Sequence, residues 1–229
     1  MPDRNRLIQK VARADRRRLL ALCEPSELTL GLVLCEPAKP AHHVYFPLAG
    51  FISLIASVPG SLGVEVGMVG REGLFGAHLA LGVATSPLQA VVQGTGHALR
   101  IGKVAFRGEL ARSATLRRAF DRYIAVLMAQ LATSAACVRF HQIGPRLARW
   151  LLMSNDRAHV DTFEMTQAFL AHMLGVRRVG ITTAAGLLQR EGLIEYHRGM
   201  LTVRDRAGLE RVACACYADD QRAYAQQFD

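Results

Sequence analysis

The chain has 229 residues, enough for two modest domains that each bury a core, and its 51% apolar and 21% charged residues exclude a disordered polypeptide. A formal net charge of +9 selects polyanionic partners, nucleic acid first and an anionic membrane surface second. Five scattered cysteines, an odd number, exclude a regular disulfide framework and point to reduced structural thiols in a cytoplasmic protein.

At the start, Arg4, Arg6, Lys10, Arg13 and Arg16 to Arg18 alternate with Leu7, Val11, Leu19 and Leu20. That pattern predicts a short, solvated basic helix without the apolar core of a signal peptide. From Glu27 to about Ile101, short β-branched or apolar runs alternate with glycine-rich breaks. The runs begin at Leu28, Val44, Phe51, Val64, Leu88 and His97, and breaks fall at residues 47–50, 59–63 and 94–96. Many short strands with turn signals between them predict an antiparallel β-roll, a shape that commonly holds a ligand in its interior or mouth.

Between Ser113 and Phe140, the residues Leu116, Phe120, Ile124, Leu127, Leu131, Ala135 and Val138 recur at steps of three and four. One face of such a helix covers the roll, and the rest of so long a stripe most simply pairs with its own copy in a homodimer. No uninterrupted apolar run reaches the length of a bilayer span, so no membrane partner is expected.

Further on, Leu170, Ala171 and Leu174 fall at helical spacing, and Gly175 can take the positive φ that ends a helix. An apolar line resumes at Val176 and continues through Val179 or Gly180 to Ile181 and Ala184. This is a helix-turn-helix pattern. Arg177 and Arg178 open its second helix, where arginines reach phosphates and guanine edges in a major groove. Residues 192–203 then hold two short apolar runs around Arg198 and Gly199, a β-hairpin signal with a basic tip. A helix-turn-helix followed at once by a hairpin is a winged helix, so double-stranded DNA is the leading partner. A last helix is expected from about Ala207 onward. On one helix Cys214 and Cys216 point to different faces and cannot share a metal. Cys23 and Cys35 are too few for an iron–sulfur cluster. No metal site is expected.

Roll, long helix and winged helix, in that order over essentially the whole chain, resemble the cAMP receptor protein/FNR family of bacterial transcription regulators. The resemblance is carried by residues 43–54 (HVYFPLAGFISL), 64–76 (VEVGMVGREGLFG), 146–152 (RLARWLL) and 166–203. It implies an α+β fold with a cyclic-nucleotide-binding-like jelly roll over residues 1–112, a dimerisation helix over 113–141 and a winged-helix DNA-binding domain over 142–229. It implies a homodimer that reads a near-palindromic operator, with contacts to RNA polymerase deciding between activation and repression.

Departures from the family pattern narrow the function. Cyclic-nucleotide-binding members carry an arginine and a hydroxyl that grip the cyclic phosphate, but Ser86-Pro87-Leu88-Gln89-Ala90 offers no arginine there. cAMP is therefore not expected as effector. The N-terminal cysteine cluster of the oxygen-sensing members is missing, so an iron–sulfur cluster is not expected either. His42, His43, His78 and His97 lie in the roll, yet a histidine there is far more often a surface or hydrogen-bonded residue than a haem ligand. The effector stays unassigned, and no cofactor is expected. In the second helix of the motif, Arg178 matches a guanine-reading arginine of the cAMP-responsive members. Val179 and Thr183 stand where the family usually places a glutamate and a second arginine, so the operator half-site differs. Val179 suits a thymine methyl group. Thr166, Gln167, Arg177, Thr182 and Arg198 are the candidates for phosphate contact.

A cupin-like metalloenzyme is the competing reading of a β-roll with histidines. It needs two histidines on one strand face with a carboxylate nearby. His42 and His43 are adjacent, and residues 44–48 supply no carboxylate. No catalytic residue is assigned and the chain is not expected to be an enzyme.

Overall fold

A computed structural model of the chain describes residues 5–61 and 63–228. Arg4 of the basic stretch and one position of the 59–63 break lie outside the described residues.

Two short helices, α1 (Arg6–Gln9) and α2 (Arg13–Ala21), come first. They are not the solvated helix expected from sequence. Leu7, Ile8, Val11 and Leu19 are buried in the core of the roll, so the apolar residues between the arginines are anchors. Asn5 fixes the entry, accepting from the Ile8 N–H at 3.0 Å and donating to the Pro47 and Gly73 carbonyls at 3.1 and 2.7 Å.

The roll consists of β1 (Glu24–Leu28), β2 (Val33–Cys35), β3 (His43–Ala56), β4 (Val64–Val69) and, after the short α3 (Ala77–Ala80), β5 (Gln89–Gly102). Pairing is antiparallel throughout, in the order β1-β5-β3-β4, with β2 also on β5. The breaks predicted at 47–50 and 94–96 are absent, because β3 and β5 run through them as long bent strands. The register slips between Pro47 and Ala49 and again between Ala49 and Phe51, and Gly50 takes φ +75°. A Cβ on Gly50 would lie 2.2 Å from the Gly94 carbonyl oxygen, and one on Gly96 2.2 Å from that of Ala49. The glycines therefore mark bulges where two backbones touch, not turns.

After α4 (Lys103–Arg112), Ser113 breaks the helix and caps the next by accepting from the Leu116 N–H at 3.1 Å. Asp15 accepts from the hydroxyls of Ser113 and Thr115 at 2.8 and 2.7 Å, tying α2 to this corner. The long helix α5 (Ala114–Phe140) matches the predicted span. Its inner face buries Leu116, Phe120, Tyr123, Val126, Gln130, Ser134 and Cys137. A second face carries Ile124, Met128, Leu131, Ala135 and Val138, at steps of four, three, four and three. It stays half-buried or exposed, with Met128 64% and Val138 42% accessible. The stripe read from sequence straddles the two faces: Leu116 and Phe120 are buried, Ile124, Leu127 and Leu131 half-buried, and Val138 exposed. By length and composition α5 is also apolar enough to cross a membrane, although polar residues interrupt its apolar run. Two of its polar residues pack inward: Gln130 accepts from the Met68 N–H at 2.9 Å and Ser134 from Arg149 at 3.2 Å, while Arg117, Arg118, Asp121 and Arg122 stay exposed.

The C-terminal part comprises α6 (Ile143–Ala158), β6 (Thr162–Glu164), α7 (Gln167–Leu174), α8 (Arg178–Arg190), β7 (Ile194–His197), β8 (Met200–Val203), α9 (Arg206–Val212) and α10 (Cys216–Phe228). A single helix from Ala207 onward is not formed: the chain breaks at residues 213–215, and α10 packs along α5. This part docks directly on the roll. Phe51, Ile55, Met68 and Val91 of the sheet share one core with Leu147, Trp150, Leu151, Met173 and Leu174.

Glu65 sits in that seam, accepting from the Trp150 indole N–H at 2.8 Å and from the Ser53 hydroxyl. Burial pushes its carboxyl up to about 7, against the lowering effect of Ser53, Trp150 and the nearby Arg157 and Arg149. An unfolded glutamate titrates near 4.5, so between these values the folded chain holds the extra proton. The stability that Glu65 contributes is then full below about pH 4.5, falls as the pH rises toward 7, and levels off above it. Glu65→Gln keeps the shape of the neutral form and should remove that slope. At pH 8 the variant should be more stable than the parent by about 2 kcal/mol, less than the full shift implies because the residue keeps an edge to solvent. Urea midpoints from pH 5 to 8 measure this. Parallel curves for the two proteins would show that Glu65 is ionised at no cost.

Candidate nucleic-acid interface

Helix α7 starts at Thr166, whose hydroxyl accepts from the Phe169 N–H at 3.1 Å, and ends at Gly175 with φ +62°. The Gly175 and Val176 amides close the helix on the His172 and Ala171 carbonyls at 3.0 and 2.9 Å, and the buried guanidinium of Arg146 caps the Leu174 carbonyl. Gly175 also touches the roll, since a Cβ there would lie 3.0 Å from the Val64 Cγ2. The turn of the motif is thus shaped by its own caps and by the sheet beside it.

Leu170, Ala171 and Leu174 are buried as the spacing predicted, and so are Ile181, Ala184, Ala185 and Leu188 of α8. The choice between Val179 and Gly180 for the inner line falls to Gly180. Ile143 occupies the space a side chain there would need, with a Cβ only 2.6 Å from its Cδ1. Val179 is 68% exposed.

The outer face of α8 therefore presents Arg178, Val179, Thr182 and Thr183, all exposed. Arg178 is the first helical residue, and Arg177 precedes it as the extended N-cap. Arg177, Arg178 and Arg198 enter none of the ion pairs found among the described residues. Thr182 donates to the Gln167 Oε1 at 2.6 Å, which locks the two helices and leaves the Gln167 amide N–H groups for another acceptor. Thr183 folds back on the Val179 carbonyl at 3.1 Å. Exposed cations at a helix N-terminus, next to an apolar residue and two hydroxyls, form a surface that can meet phosphate and base edges together.

The hairpin β7–β8 stands beside α8. Its tip puts both Arg198 (φ +48°) and Gly199 (φ +84°) in the left-handed region, the two-residue turn that suits a tight hairpin. The sequence pattern provided for Gly199 alone. Tyr196 fastens the hairpin, its hydroxyl donating to the Met165 carbonyl at 2.9 Å and its N–H to the Gln189 Oε1 at 3.0 Å. Strand β6, too short to leave a periodic signal, adds a third strand through β8.

In the roll, the Ser86 hydroxyl is turned onto its own loop, donating to the Leu88 carbonyl at 2.9 Å and accepting from the Leu88 N–H at 3.1 Å. Burial holds His78 below the usual imidazole range, and burial with the nearby Arg100 does the same for His43. Neither favours an added positive charge. Glu72 of the glycine turn pairs with Arg157 at 2.9 Å and accepts from the Gly70 N–H at 3.0 Å. A cavity of about 550 Å3 lies not inside the roll but where its glycine turn meets α5, α6 and α10, lined in part by Glu72, Tyr123, Gln130, Arg157, Arg206 and Tyr224.

Residues 145–212 match the Crp-like helix-turn-helix domain. No curated protein sequence matches the chain. Solved structures share its fold. A transcriptional regulator assigned to the crp/fnr family from Eubacterium rectale superposes with TM-score 0.70 at 14% identity, over 90% of this chain and 97% of the other. FixK2 from Bradyrhizobium japonicum gives 0.70 at 12%, over 84% and 98%. The c-di-GMP responsive global regulator CLP from Xanthomonas campestris gives 0.67 at 16%, over 84% and 99%.

Gly175→Ala tests the turn. The left-handed backbone should cost about 1 kcal/mol, and the tight approach to Val64 somewhat more. Adding Val64→Ala should recover the contact but not the backbone part, as read from denaturation midpoints. An unchanged midpoint in the single variant would mean the turn does not need its left-handed glycine.

Proposed function

We infer, from a C-terminal domain that belongs to the Crp-like helix-turn-helix family on a chain with the Crp/FNR fold, that this protein is a DNA-binding transcriptional regulator. The observation that carries this reading is the outer face of α8, where unpaired arginines and Val179 stand exposed beside a fastened wing. Arg178 reads a guanine, Val179 packs on a thymine methyl, and Thr183 contributes at the next turn of the helix. Arg177, Gln167, Thr166 and Arg198 hold phosphates, and Thr182, its hydroxyl proton given to the Gln167 Oε1, acts by turning the Gln167 amide N–H groups outward instead of touching phosphate itself. The bonds of Thr166 and Thr182 within the motif support a positioning role for both. This favours a regulator over a cupin-like metalloenzyme.

The working unit is a homodimer. Its seam is the outer face of α5, where the alternation of four and three from Ile124 to Val138 is that of a two-helix coil. A dimer through this seam also gives the apolar helix a partner other than lipid, in keeping with a cytoplasmic protein. Residues 1–112 then serve as sensor, 113–141 as coupling helix and 142–229 as DNA reader. The closed Ser86 loop, without an arginine, supports an effector other than a cyclic nucleotide. RNA polymerase is the further partner at a promoter.

Binding to a randomised operator at two salt concentrations separates the arginines. Arg178→Ala should cost roughly 1–3 kcal/mol and relax discrimination at one base pair of each half-site. Arg177→Ala should weaken all sequences alike and lower the salt slope by about 1.8 for the dimer. If neither substitution changes binding, α8 is not the reading helix.

Met128→Glu tests the seam at a position that does not enter the core. It should give a folded monomer in sedimentation, with operator binding lost. A variant that remains dimeric would place the interface elsewhere.

A further inference from the structure

Where α5 gives way to α6, two segments distant in sequence bring four ligand-type side chains together. Cys137 and His141 stand one helical turn apart at the end of α5, and Cys214 and Cys216 come from the corner between α9 and α10. Their ligand atoms all lie within 4.8 Å of one another. The Cys137 and Cys214 sulfurs are 3.5 Å apart, and the Cys216 sulfur is 3.5 Å from the His141 Nδ1.

We propose that Cys137, His141, Cys214 and Cys216 form a Cys3His site for a zinc-class divalent cation. The sequence expectation against a metal rested on Cys214 and Cys216 sharing one helix. Instead α9 stops at Val212, Ala213 is extended, and only Cys216 begins α10, so the pair spans a loop-to-helix corner and both thiols turn to one side.

Geometry fits a single tetrahedral ion. Bonds of about 2.3 Å to sulfur and about 2.0 Å to nitrogen set sulfur–sulfur edges near roughly 3.8 Å and sulfur–nitrogen edges near roughly 3.5 Å. A disulfide requires about 2.05 Å, and all five cysteines are free thiols. An iron–sulfur cage interposed between the sulfurs needs a wider mouth than this. The three cysteines are buried in a small cluster apart from both main cores, while His141 closes the site at its more open side. Three thiolates and a divalent ion leave one net negative charge. Arg149, paired with Asp220 at 2.6 Å, and the buried Arg146 both lie close enough to feel Cys137 and Cys214, so one cation beyond that carboxylate's needs offsets the charge.

The cation joins the end of α5 to the corner behind the DNA-reading motif, where the Cys214 N–H already donates to the Pro145 carbonyl at 3.3 Å. It thereby fixes the α5–α6 angle, on which the placement of α8 depends. This last consequence rests on the DNA-binding reading, and the site itself does not.

Full-length protein prepared under reductant, stripped with a chelator and titrated with Zn2+ against a chromogenic competitor should take up one ion per chain. Loaded with Co2+, it should show the visible bands of a tetrahedral ion and the charge-transfer absorption of three thiolates. Cys214→Ser should weaken zinc binding by roughly a hundred-fold or more and leave two thiolates in the cobalt spectrum. Cys35→Ser, which lies in the roll, should leave both unchanged. Failure of the parent protein to bind a stoichiometric ion overturns the proposal whether or not the variants fold, as does an octahedral cobalt spectrum. Operator binding measured on the same samples keeps the two readings apart: loaded protein that ignores DNA removes the regulatory reading and leaves the metal site standing.

Discussion

The structure depends on the division of labour around α5. One face of this helix is consumed by the roll and by α10, through Leu116, Phe120, Tyr123, Val126 and Cys137. Hydrophobic burial at about 25 cal/mol per Å2 holds it there more firmly than any single polar contact could. That docking leaves Ile124, Met128, Leu131, Ala135 and Val138 in a row on the neighbouring face. The inner face binds the helix to its own domain, and the outer row is the face left for the proposed second copy. Because α6 follows within three residues, whatever moves the end of α5 also moves the DNA-reading motif.

Charge is concentrated where the two halves meet. Glu65 lies between the sheet and Trp150, Arg157 pairs with Glu72 of the glycine turn, and Arg149 pairs with Asp220 across α6 and α10. Buried ion pairs of this kind add little net stability, since desolvation offsets most of the attraction. Their value is directional: the Glu65–Trp150 and Glu72–Arg157 contacts are satisfied in one relative placement of roll and reader, and Arg149–Asp220 fixes α10 against α6 within the reader. The cavity of about 550 Å3 at the same junction shows that the packing between the halves is incomplete there.

Much of the helical part was legible in the sequence. The long helix, the two-helix motif and the hairpin each carry a periodicity or a turn residue that follows directly from backbone geometry. What was missed has local physical causes. Glycines at 50, 94 and 96 look like strand breaks, but they are spaces for close backbone contact inside β3 and β5. Val179 and Gly180 could not be assigned to faces until Ile143 was seen filling the place of a side chain. The N-terminal arginines suggested solvent, yet Leu7 and Leu19 between them are fully buried. The cysteine cluster was hidden because it joins residues 77 apart in sequence and depends on a break after Val212 that no proline or glycine announces.

Methylation interference on an operator selected with the purified protein addresses DNA reading most directly, because it reports guanine N7 in the major groove. Two chains should bind one duplex, with interfering guanines in two half-sites whose centres lie one helical turn, roughly 34 Å, apart. Substituting Arg178 should abolish interference at one guanine in each half-site. Binding by a single chain, or interference confined to minor-groove positions, would contradict a dimer that reads DNA through α8.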